Sequence, residues 1–201
     1  ETLRQELDAI KAERDAGRYD AALARISDPL EESETLGYRP LRAEAALLHG
    51  TLLGLSGNAD EAARAFDNAF TDGLASGHTE VAAWAAVQAT HGVGFVGHHG
   101  SEGRRWAHLA DPLIVRAGEQ PQLRATLRAN LGNIAFIQGE LEEAEEHFTA
   151  AITLTEATVG DDDTLIAKSS ANLGSLYRRM GKYDLALVSF RRAESIFESK
   201  F

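Results

Sequence analysis

The sequence predicts an all-α fold, a right-handed α-solenoid of about five helix–turn–helix units. Three observations lead there. One pattern occurs twice near the C-terminal end: Ala129, Asn130, Leu131, Gly132, Ala135, Gly139, Ala144, Phe148 and Ala151 return 42 residues later as Ala171, Asn172, Leu173, Gly174, Tyr177, Gly181, Ala186, Phe190 and Ala193. Fainter copies lie upstream, in Gly50, Leu53, Gly57, Ala62, Phe66 and Ala69, in Gly17, Tyr19, Ala22 and Ile26, and in Gly103, Ala107 and Ala110. Positions 22, 62, 103, 144 and 186 correspond, so the spacings are 40, 41, 41 and 42. Composition supplies the third observation. Alanine, leucine, glutamate and arginine favour helix, only four prolines interrupt 201 residues, and few β-branched runs argue for strands.

The elements follow in order. Unit one (2–39) is expected to hold helices at 2–16 and 19–36, broken by Gly17. Unit two (40–78) holds 40–55 and 59–76, with Ser56-Gly57-Asn58 as the turn and Gly77 as a C-cap. Unit three (79–120) holds 79–96 and 101–117, with Thr79 and Ser101 as candidate N-caps. Unit four (121–162) holds 121–138 and 141–159, with Pro121 in a first turn. Glu140, Glu142, Glu143, Glu145 and Glu146 crowd the start of its second helix, where the helix dipole favours them. Unit five (163–201) holds 163–180 and 183–199, with Arg178, Arg179 and Lys182 at the favourable C-terminal end of its first helix. Asp161-Asp162-Asp163 reads as a solvated cap between these units. The small residues Gly132, Gly174, Ala144 and Ala186 let paired helices approach, and Phe148 and Phe190 fill the space one turn on.

Leu173-Gly174 with Tyr177, followed by Ala186 and Phe190, resembles the signature of the tetratricopeptide repeat, a helix–turn–helix unit of about 34 residues. The longer period here adds roughly one turn per helix. With the Asn-Leu-Gly triplet, it is similar to the kinesin-light-chain type. The resemblance implies stacked units that bury a shared core and expose a concave groove. It also implies that Asn130 and Asn172 stand where that type holds bound peptides; the first three units have no Asn there. A looser resemblance links residues 36–45 and 102–107 to the repeat tails that follow bacterial serine/threonine kinase domains. It implies a partner-recruiting segment of a kinase, and a fragment of a longer protein is expected because the chain opens inside a helical pattern. Arginine outnumbers lysine 16 to 4, the bias of a GC-rich bacterial genome.

Composition narrows the function. A net charge of −11 argues against nucleic acid and anionic membranes as partners. The imbalance is uneven: residues 1–160 hold 25 acids against 13 bases, residues 161–201 hold 6 against 7. Absence of cysteine excludes disulfides, thiolate metal sites and thiol nucleophiles. Nothing demands an oxidising compartment, and the expected location is cytoplasmic. No run of about 18 apolar residues is long enough for a membrane span.

No catalytic constellation stands out, and no cofactor is expected. Gly92-Val93-Gly94-Phe95-Val96-Gly97 spells a dinucleotide motif, but a helix rather than a strand precedes it. Its glycines read as a distorted helix end. His91, His98, His99 and His108 cluster in unit three without the one-turn ligand spacing of a helical metal site, so the reading is solvent-exposed histidines with possible sensitivity to pH near neutrality. Kinase and phosphate-loop signatures are missing from these 201 residues.

The expected function is therefore non-catalytic binding of a peptide or protein partner in the concave groove. With Leu131 and Ala135 turned inward, the groove takes Asn130, Asn133, Phe136 and Ile137 from unit four. Unit five gives Lys168, Asn172, Ser175, Arg178 and Arg179; unit three gives Gln88, Phe95 and Val96. Asn130 and Asn172 either clamp an extended chain, donating to and accepting from its backbone, or bond locally within their helix pairs. Phe95, Val96, Phe136 and Ile137 form an apolar floor that a partner or further helices would cover. Self-association through the array ends is a further expectation.

Overall fold

The computed structural model describes residues 2–159 and 163–200. The expected acid cap at Asp161 and Asp162 lies outside the described residues. Helices follow one another along the chain: α1 (Thr2–Asp15), α2 (Tyr19–Arg25), α3 (Ser27–Leu36), α4 (Arg39–Leu55), α5 (Ala59–Ser76) and α6 (Thr79–His91). A π-helical turn, Gly92–Val96, extends α6. Then come α7 (Gly100–Arg116), α8 (Pro121–Gln138), α9 (Leu141–Val159), α10 (Thr164–Arg179) and α11 (Tyr183–Lys200). No strand occurs among the described residues.

The helices pack in adjacent antiparallel pairs: α4 with α5, α6 with α7, α8 with α9, α10 with α11. First helices also touch the first helices of neighbouring pairs, α4 on α6, α6 on α8 and α8 on α10. Among the described residues, second helices have no such extended contacts with one another. The layer of first helices is thus the tighter one, and the array curves around it.

The recurring glycine and phenylalanine make one lock. A methyl group added at Gly132 would stand 2.7 Å from the Phe148 ring; Gly174 meets Phe190 and Gly50 meets Phe66 at the same 2.7 Å. A phenyl ring of the second helix therefore sits directly on the bare backbone of the first. Beneath it lie continuous clusters, such as Phe148, Ile152, Ile166, Leu176 and Ile196, which join α9 to the next pair. Burial of this kind is worth about 25 cal/mol per Å² of apolar surface.

Unit three replaces the lock. Ala107 stands where units two, four and five carry phenylalanine, and the two helices close until Gly94 and Gly103 touch. A methyl at Gly94 would come within 2.9 Å of the Gly103 Cα and would also strike Ile134. The glycines of the nucleotide-like motif thus serve helix packing and a π-turn. Helix α6 is alanine-rich because it is enclosed: Ala82, Ala83, Ala85, Ala86 and Ala89 are all fully buried. Phe70 of α5 and Trp106 of α7 close over the cluster edge to face, with ring centroids 5.2 Å apart.

Three expectations are corrected. The second helix of unit one is two helices, α2 and α3, meeting at Ile26. Pro29 has no N–H to give the Arg25 carbonyl, so one rung of the ladder is absent there. Thr79 and Ser101 are not N-caps. Each lies inside its helix, and His78 and His99 occupy the cap positions without a side-chain cap bond. Asp163 does cap, accepting from the Leu165 N–H at 2.7 Å.

Candidate functional site

The first helices place one stripe of side chains on the inner face of the array. On α6 it runs Trp84, Gln88, His91, Phe95; on α10 it runs Lys168, Asn172, Ser175, Arg179. Both follow the spacing of a single helical face. Between them α8 contributes Asn133, Phe136 and Ile137.

Specific contacts tie these residues together. The Asn172 Nδ2 donates to Asn133 Oδ1 at 2.8 Å, linking α10 to α8. The Arg179 Nη1 donates to the Phe136 carbonyl at 2.9 Å, and its guanidinium lies 5.4 Å from the Phe136 ring centroid. Arg179 therefore covers part of the expected apolar floor. His91 stacks at a tilt on Phe95, centroids 5.4 Å apart. Burial lowers its pKa below the ordinary 6.5, and the Lys168 ammonium lowers it further. His91 and Lys168 thus feel one another across the groove.

The two repeated asparagines differ. Asn130 is only 6% exposed, and its Nδ2 donates to the Val87 carbonyl at 2.9 Å. It joins α8 to α6, between units rather than within a helix pair. Asn172 is half-buried and bonds another side chain at the groove surface. Gln88, Phe95, Ile137 and Ser175 are half-buried; Val96, Lys168, Arg178 and Arg179 are exposed. Leu131, expected inward, packs part-buried on the cluster of α6 and α7.

Sequence reasoning missed the other half of the groove. Helices α1, α4, α6 and α8 enclose a cavity of about 510 Å³, lined by Leu47, Val81 and Trp84 with Lys11, Arg14 and Glu44 among its polar residues. Arg4 and His78 reach Glu44 at 2.8 and 3.3 Å. The available signal was Trp84, one helical turn before Gln88 on the same stripe.

The histidines do not converge. His91 faces the groove, His98 and His99 are exposed in the turn before α7, and His108 lies in an outer groove. No group of three or more His, Asp or Glu side chains that could hold a metal ion occurs among the described residues. No described helix is long and apolar enough to cross a membrane.

Comparison with known proteins agrees with this architecture. Residues 123–199 match the family described as tetratricopeptide repeat. The crystal structure of BtubC (BKLC) from P. vanneervenii superposes with a TM-score of 0.66 at 17% identity, covering 99% of this chain and 89% of that one. A Podosopora anserina putative kinesin light chain with nearly identical TPR-like repeats superposes at 0.67 and 13% identity, covering 99% and 96%. Likeness at these identities is a likeness of fold. No curated protein sequence matches the chain. Residues 123–199 therefore carry tetratricopeptide repeats, and the likeness to the solved structures is one of fold along the rest of the chain. The repeat matched at residues 123–199 is in general a protein–protein interaction unit.

Proposed function

We propose that the concave groove binds an extended segment of a partner protein and performs no chemistry on it. One observation carries the reading: the α10 stripe Lys168, Asn172, Ser175, Arg179 offers donors and cations at one-turn intervals, with no carboxylate of the described residues paired to either cation. A segment carrying acidic side chains satisfies both charges. The Asn172–Asn133 pair can exchange its mutual bond for a donor and an acceptor to a passing backbone. Phe95 and Ile137 supply the apolar contact beside it, and the cavity at Trp84 extends the groove toward α1. Asn130 stays outside the clamp, because its amide is committed to Val87. Attachment to a kinase, as a recruiting segment, would leave this role unchanged.

The test is capture from native lysate by the protein and by a Lys168→Glu/Asn172→Ala variant, with folding checked by circular dichroism. The reading expects partners retained by the first and lost by the second. Equal capture by both, with both folded, removes the α10 stripe from recognition.

A further inference from the structure

We propose that the outer groove between α7 and α9, floored by α8, is a second binding site, for a phosphate-class dianion. The groove encloses about 310 Å³ and lies on the opposite side of α8 from the peptide groove. Its charged lining comprises three guanidinium groups (Arg104, Arg124 and Arg128), two imidazoles (His108 and His147) and two carboxylates (Asp111 and Glu143).

Two of the arginines are already neutralised. Arg104 donates to Glu143 at 2.6 Å, and also to Glu140. Arg124 pairs with Asp111, and with Glu119 at 3.0 Å. Arg128 is different. Its one polar side-chain partner among the described residues is the His147 Nδ1 at 3.5 Å. That ring is disposed to the neutral form. Burial lowers its pKa, the Arg128 charge lowers it further, and Glu143 only partly offsets them. The His147 Nε2 lies 3.4 Å from Glu143, and the neutral tautomer that carries its proton on Nε2 leaves Nδ1 free to accept from Arg128. A neutral imidazole thus takes one of five guanidinium N–H groups and none of the charge.

A part-buried cation without a counter-charge is costly, and the cost falls when an anion fills the place. The carboxylates on the other flank leave it vacant. Glu145 is drawn to Tyr177 and Lys182, and Glu142 and Glu146 line the adjoining cleft without pairing to Arg128 within 4.0 Å. A tetrahedral dianion suits the geometry. It accepts two parallel N–H bonds from the Arg128 guanidinium. The carboxylates lining this groove lie on Arg104 and Arg124, so Arg128 is its one guanidinium without a carboxylate within 4.0 Å among the described residues.

The test is phosphorus NMR and calorimetric titration of the whole chain with inorganic phosphate and, separately, with a blocked phosphoserine tripeptide. Saturable binding is expected, weakened about tenfold or more by Arg128→Gln, which removes the charge-assisted bonds. Arg116→Gln, on an exposed position of α7 outside the groove, is expected to leave binding intact. Tighter binding of the phosphopeptide would identify a phosphorylated partner as the source; equal binding would identify the free ion. A raised melting temperature in phosphate, absent in Arg128→Gln, guards against a variant that merely misfolds. Absence of saturable binding, or equal binding by Arg128→Gln, overturns the proposal.

Discussion

Phe148 and Phe190 occupy the same place in consecutive units, yet their removal is expected to cost different amounts. Each ring sits 2.7 Å from where a methyl on its partner glycine would stand. Phe148 is 0% exposed and embedded among Ile152, Ile166, Leu176 and Ile196. Phe190 is 38% exposed, because no described helix covers α11 as α10 covers α9. Deleting a fully buried phenylalanine side chain costs about 3–5 kcal/mol. Scaling by the buried fraction brings Phe190→Ala to roughly 2–3 kcal/mol. Position in the array widens the gap. Phe148 holds an interface between pairs, and in a stacked array each lost interface weakens the coupling of its neighbours. Urea unfolding followed by circular dichroism measures both variants. Hydrogen exchange should show Phe148→Ala loosening α8 through α11, and Phe190→Ala loosening only α10 and α11. Equal losses, or a larger loss at Phe190, would refute the stacking argument.

Further perturbations test other parts of the account. Gly94→Ala forces a methyl to within 2.9 Å of the Gly103 backbone and is expected to cost about 1–3 kcal/mol. Gly54→Ala, at an exposed position of α4 where the methyl meets nothing nearer than 3.9 Å, should stabilise by about 0.5–1 kcal/mol; thermal melts compare the two. His49, His91 and His147 all have folded-state pKa values lowered by burial from 6.5. The unfolded chain therefore binds protons first, so stability is full above about pH 6.5 and falls as pH drops below it. Urea midpoints across this range check the slope, which replacing all three histidines by glutamine should flatten. The Tyr177 phenol is pushed up to about 12, first by burial and then by its hydrogen bond to Glu145. In a spectrophotometric titration of the folded protein it should ionise last, and Tyr177→Phe should remove that final step.

The sequence made the second half of the fold plain because the Gly132–Phe148 and Gly174–Phe190 locks leave fixed residue types at fixed spacing. Unit three was fainter for a physical reason. Its helices meet through Gly94 and Gly103, so the large residue vanishes from the pattern and the glycines mimic another motif. The break at Ile26 was marked by Pro29, whose single lost bond splits a helix without ending its course. The groove was legible as a face but not residue by residue. Asn130 and Asn172 are equivalent in sequence, and only the approach of the Val87 carbonyl separates a buried bridge from a surface clamp. Trp84 and Leu47 had no place in the groove read from the sequence, because nothing in a linear pattern says that four first helices converge around a cavity.

The central claim, that partners enter along the concave layer of first helices, is tested most directly by site-specific photo-crosslinking. A photoreactive side chain at Ser175 sits half-buried on the inner face of α10, and one at Asp67 sits exposed on the outer helix α5. The account predicts a partner adduct from Ser175, lost on Lys168→Glu, and none from Asp67. Adducts from Asp67 with none from Ser175 would contradict it.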